Sequence, residues 1–94
     1  MTSEAHVRTE TPGRYITRLC KHFAHKVPAT FTADEGRIEF GMGVGTLAAA
    51  PGVLTLRAEA EDAEALARVE DVLARHLVRF AEPEALEIAW ATVA

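Results

Sequence analysis

The sequence predicts an α+β domain with two helices packed on a mainly antiparallel sheet, in the element order β-α-β-β-β(-β)-α-β. Three observations carry that expectation. Residues 12–27 and 63–81 repeat apolar side chains at helical spacing. The remaining segments are short and alternate apolar with polar residues, the two-residue period of half-buried strands. Asp34-Glu35-Gly36 and Pro51-Gly52 punctuate them at hairpin spacing, so sequential strands are expected to be antiparallel neighbours.

The elements follow in order. Residues 1–5 are expected to form a flexible tail. Residues 6–11 set Val7, Thr9 and Thr11 against His6, Arg8 and Glu10, a first strand with one wetter face. Thr11 is placed to cap the first helix and Pro12 to begin it, while Pro28 stops it near Val27. Residues 29–33 and 37–40 form a hairpin, with Gly36 at the left-handed position of its three-residue turn. In the run Gly41-Met42-Gly43-Val44-Gly45-Thr46, the three glycines share one strand face, where they admit a close neighbour, bend the strand, floor a ligand groove or leave a mobile unpaired edge. The run lacks the Walker lysine, and no long helix follows it, so it is no phosphate fingerprint. Residues 45–49 are expected to pair antiparallel with residues 54–58; one bent strand or two over 37–49 stays open.

Asp62 or Glu61 caps the second helix. Its core stripe is Leu66, Val69, Leu73, Leu77 and Phe80, with His76 at the edge, partly buried and held by one hydrogen bond. Residues 86–92 give the last strand, with Trp90 turned to the core. The free sheet face is either solvated or covered by a second subunit, and Val44, Val53 and Val93 would serve such a homodimer.

Composition narrows the function. The 94 residues make a single domain, 1–94, and a net charge of −4 with pI near 5.5 leaves no nucleic-acid footprint. No run reaches transmembrane length, and the N-terminus MTSEAHV has no apolar signal segment. One cysteine excludes an intrachain disulfide and suits a reducing cytoplasm. The charge is unevenly spread. Residues 14–26 carry Arg14, Arg18, Lys21 and Lys26 with no acid, whereas residues 59–71 carry six acids against Arg68 alone. That asymmetry fits a charged partner or self-association.

The first helix holds the chemistry. Ile16, Leu19, Cys20, Phe23 and Val27 fall on one face; Arg18, His22 and His25 lie roughly opposite, with Tyr15 and Lys26 beside them. Cys20 points about 160° from His22 and about 140° from His25, so the three cannot converge on one ion. Cys20 is expected to be a buried structural thiol. His22 and His25 can share a ligand, but two imidazoles are half of a usual zinc set.

The runs LCKHFAHKVPATFTADEGRIEF and EAEDAEALARVEDVLARHLVRFA, with a strand after the second, resemble a bacterial family known as domain of unknown function 2218. The likeness covers nearly the whole chain, with the GMGVG stretch as the departure. The resemblance supplies no activity. Members resemble modules associated with siderophore-interacting, flavin-dependent reductases, which implies a link to iron or siderophore handling. The leading expectation is a non-enzymatic binding or accessory module. Its basic helix face, Arg18, Lys21, His22, His25 and Lys26, would meet an anionic small molecule or an acidic protein surface. The alternative is metal or ferric-siderophore handling through His22 and His25, with His6 or an acid completing the set. A thiol or histidine enzyme using Cys20 or His76, and a purely structural homodimer, are the remaining readings. No cofactor is specified.

Overall fold

The computed structural model describes residues 1–93. Its elements are β1 (Thr2–Arg8), α1 (Pro12–Phe23), β2 (Ala29–Phe31), β3 (Glu35–Glu39), β4 (Gly43–Ala50), β5 (Val53–Ala60), α2 (Ala63–Ala81) and β6 (Ala91–Val93). The strands form one sheet in the order β2-β3-β4-β5-β1-β6, antiparallel throughout. Both helices pack on one face: α1 over β2, β3 and β4, α2 over β4 and β5. The α+β architecture and element order are those the periodicities predict, and residues 37–49 make two strands.

Strand alternation fixes the core. Ala5 and Val7 of β1, Ile38 of β3, Leu47 of β4 and Leu54, Leu56 and Ala58 of β5 turn inward. They meet Ile16, Leu19, Cys20 and Phe23 from α1 and Leu66, Val69, Leu73 and Leu77 from α2. The β4–β5 register pairs Gly45 with Ala58 and Ala49 with Leu54, as expected from the Pro51-Gly52 turn.

Glycines set how closely the helices approach. A Cβ on Gly36 would lie 2.8 Å from Cys20 Sγ and 3.0 Å from Ile16 Cγ2. One on Gly45 would lie 2.9 Å from Leu73 Cδ1, and one on Gly43 would lie 2.7 Å from Val69 Cγ2. The helices therefore rest on bare backbone. Gly41 departs from the expected shared face: it sits at φ +90 in the turn before β4, a conformation that favours glycine.

Several expected boundaries are corrected. Residues 1–5 are not a tail, because β1 begins at Thr2 and is bracketed by β5 and β6. Its inward residues there are Ser3 and Ala5, too small to announce a buried strand. Ser3 is buried, and its hydroxyl donates to Glu70 Oε2 of α2 at 2.6 Å. Helix α1 ends at Phe23 rather than near Val27; the chain turns through residues 24–26 before Pro28 and β2. Gly36 is not the turn residue. The turn falls earlier, where Thr32 Oγ1 accepts from the backbone N–H of Asp34 and Glu35, and Gly36 is buried inside β3. Of the expected 86–92 strand only Ala91 and Thr92 join the sheet, in β6 (Ala91–Val93). Leu86, Ile88 and Trp90 alternate inward as predicted, and all three are half-buried against the core. Leu86 and Ile88 lie beside Ala74, Arg75 and Val78 of α2 rather than on a strand ladder.

Gly36→Ala is expected to cost about 1–3 kcal/mol in denaturant unfolding, the usual penalty of overpacking. Cys20→Ala in the same chain should make the combined loss smaller than the sum of the single losses. Strict additivity would show that the α1 contact does not set the cost.

Candidate functional site

Helix α1 runs antiparallel to α2, so Tyr15, Arg18 and His22 meet residues 84, 80 and 76 in turn. The seam between them brings two histidines together. The rings of His22 and His76 have centroids 5.1 Å apart. Phe23 packs 4.8 Å from His76 and 5.0 Å from Phe40, and Phe80 packs 5.3 Å from His22. Arg18 closes the cluster: its guanidinium carbon lies 5.1 Å from the centre of the Phe80 ring, and Nη1 donates to the Phe80 carbonyl at 3.3 Å. That bond also satisfies a carbonyl of the last turn of α2.

The two imidazoles differ in what holds them. His76 Nδ1 lies 2.7 Å from the Val72 carbonyl. A carbonyl only accepts, so Nδ1 carries the proton and Nε2 is the free nitrogen of the neutral ring. His22 makes no hydrogen bond among the described residues. It is exposed at the rim of the cluster, where partial desolvation by its neighbours lowers its pKa first and the charges of His76, Lys26, His25 and Arg79 lower it further.

That set of neighbours contains no acid. Glu64, in the first turn of α2, lies twelve residues from His76, about 18 Å along the axis. This exceeds the screening length of about 8 Å at physiological ionic strength. The nearer Asp71 is occupied by Arg75 at 2.8 Å. Ion pairs among the described residues engage Arg57, Arg68 and Arg75, and His6 lies 3.8 Å from Glu4, whereas Arg18, Lys21, Lys26 and Arg79 enter none.

Beyond Arg18 the seam opens into a groove of about 470 Å³ lined by Arg14, Tyr15, Phe80, Pro83 and the acids Glu82 and Glu84. Tyr15, expected beside the polar face, is buried; its hydroxyl donates to Glu84, which also accepts from Thr9 Oγ1 at 3.3 Å. Burial, then the Glu84 carboxylate, pushes the Tyr15 phenol above the ordinary tyrosine value.

The sequence-predicted residues divide accordingly. Arg18 and His22 sit in the cluster. Lys21 is exposed on α1, and His25 and Lys26 are exposed in the turn that follows, near enough to act on His22 by charge. The metal set is not assembled: among the described residues, no three His, Cys, Asp or Glu side chains are grouped to hold an ion. His6 cannot join His22 and His25, because it lies on the sheet face away from the helices, bonded to Thr55 Oγ1 at 3.2 Å. Cys20 is fully buried against Gly36, and burial pushes its thiol up, as a structural role requires. The free sheet face holds a shallow groove of about 510 Å³ between Phe31, Arg37, Thr46 and Arg57. Among the described residues no helix is long and apolar enough to cross a membrane.

A family of uncharacterised proteins conserved in bacteria, DUF2218, matches residues 4–91. The chain belongs to DUF2218. No curated protein matches it. The NMR structure of PA4090 from Pseudomonas aeruginosa is 42% identical to this DUF2218 chain, with a TM-score of 0.82, over 96% of this chain and 94% of that one. The family match spans the whole α1–α2 seam.

Sequence reasoning named His76 only as a candidate enzymatic histidine and did not join it, Arg79 or the Phe80 ring to this DUF2218 seam. A signal was present. His22 and His76 flank the apolar stripes of two helices packed on one sheet face, and antiparallel packing brings such flanks together.

Two outcomes follow from the site's titrations. Below the ordinary histidine value, His22 holds fewer protons folded than unfolded, so acidification through that range lowers stability and rising pH restores it. His22→Gln should therefore flatten the acid side of the unfolding-midpoint profile; an unchanged profile would refute the depressed pKa. Tyr15 is the single tyrosine, so tyrosinate absorbance should rise only at pH above that of free tyrosine, and return to the ordinary midpoint in denaturant.

Proposed function

We propose that this domain is a non-enzymatic binding module whose α1–α2 seam takes the anionic group of a small molecule. One observation carries the reading: Arg18, Lys26 and Arg79 gather with His22, His25 and His76 at one seam, and no ion pair among the described residues uses them. Surface cations usually find carboxylates in a chain with more acids than bases. Here antiparallel packing keeps Asp62 and Glu64 at the far end of α2, and Asp71 is held by Arg75. The adjoining groove supports a small molecule over an acidic protein surface, since its volume lies in the range of ligand sites and Phe80 gives it an apolar wall. A single buried thiol suits a reducing cytoplasm as the place of action.

Glycerol phosphate is a suitable probe. Titrating it into the labelled domain should move amide resonances of residues 18–26 and 76–80, and the effect should weaken with added salt. Lys26→Glu combined with Arg79→Glu should reduce affinity at least about tenfold, the equivalent of about 1.4 kcal/mol. Arg75→Gln, whose charge is already paired with Asp71, should change it little. Polyglutamate binding more tightly than glycerol phosphate would move the reading to an acidic protein surface, and no response to either would end it.

A further inference from the structure

Resting on that reading, we propose that the anionic group bound at the seam is doubly charged, as on a phosphate monoester, and that its binding draws protons onto His22 and His76. Hydrogen-bond chemistry carries the argument. An oxyanion only accepts, so every group that touches it must donate. The one proton of neutral His76 is on Nδ1 and is committed to the Val72 carbonyl at 2.7 Å. Its Nε2 then presents a lone pair, which repels an oxyanion. Protonation turns Nε2 into a donor and leaves the Val72 bond intact. His22, free at both nitrogens, gains a second donor in the same way.

The surroundings of His22 oppose its protonation until an anion arrives. From its own helix and the following turn, His22 faces Lys26 and His25; from α2 it faces His76 and Arg79. Arg18, one turn earlier, stacks on the Phe80 ring that also touches His22. Two acids, Glu82 and Glu84, line the groove beyond Arg18, and Glu84 is engaged by Tyr15 and Thr9. Two imidazolium rings with centroids 5.1 Å apart in this company carry mutual repulsion that one negative charge only partly offsets. A dianion offsets both, and the two titrations are coupled through it.

Sulfate tests this, because it stays doubly charged across the histidine range and any pH dependence belongs to the protein. The four histidine ring resonances are followed from about pH 5 to about pH 8.5, around the reference value near 6.5. The titration is run in sulfate and in chloride at equal ionic strength. The midpoints of His22 and His76 should rise in sulfate, while His6, on the opposite sheet face, stays put. Sulfate should bind about tenfold more tightly at the acid end than at the alkaline end. His76→Gln should lose a large part of that ratio while keeping binding at alkaline pH. Amide shifts along the seam without movement of the two imidazole midpoints would overturn the proton coupling and leave the anion site standing. Equal midpoint shifts in chloride would overturn the double charge. No sulfate-specific amide shift at any pH would overturn the site itself.

Discussion

The structure depends on how closely two helices lie to one sheet. Helix α1 rests on Gly36 through Cys20 and Ile16, and α2 rests on Gly43 and Gly45 through Val69 and Leu73. With side chains at those positions the helices would have to ride higher, and the short inward residues of the neighbouring strands, Ser3, Ala5 and Ala58, would no longer fill the gap. Close seating also fixes the rotation of α1. Once Cys20 is pressed against Gly36, Phe23 points at Phe40, and His22 is left at the margin where α2 passes. The candidate site is a by-product of a packing constraint made by residues without chemistry of their own.

Electrostatics follow from the same geometry. Antiparallel packing lays the basic helix along the C-terminal half of α2, where cations also suit the helix dipole. Arg79 and the Arg18–Phe80 carbonyl bond belong to that end. Asp62 and Glu64 belong to the opposite end, where Asp62 caps the helix by accepting from the Ala65 N–H at 2.8 Å. Asp62 and Arg79 thus each stabilise the end of α2 on which they sit.

The fold was legible wherever period and punctuation agreed. Helix α2 occupies residues 63–81 as predicted, because a strong apolar stripe lies between an Asp cap and Glu82-Pro83. The β4–β5 register follows from Pro51-Gly52 and two clean alternations. Reading failed where inward residues are too small to signal burial, as at Ser3 and Ala5, or where alternation has another cause. Leu86, Ile88 and Trp90 keep a two-residue rhythm, yet the segment lies outside the sheet, with Leu86 and Ile88 against a helix. Gly36 looked like a turn residue because its role, accepting Cys20, lies on another element. The site was half legible for the same reason: phase separates Cys20 from His22 on one helix, but only the pairing of two helices brings in His76.

Strand β1 has a consequence for how the domain is made. It is first in the chain but lies between β5 and β6, so Thr2 waits for Glu59 and Val93 before its backbone is paired on both sides. Strands β2 to β5 form a local meander that can assemble as it leaves the ribosome. Residues 2–8 must stay unpaired until more than forty further residues have been synthesised. Such long-range closure slows folding and exposes strand edges meanwhile. The small and polar make-up of Thr2, Ser3, Glu4 and Ala5, which hid the strand from view, also gives the waiting segment little apolar surface to expose.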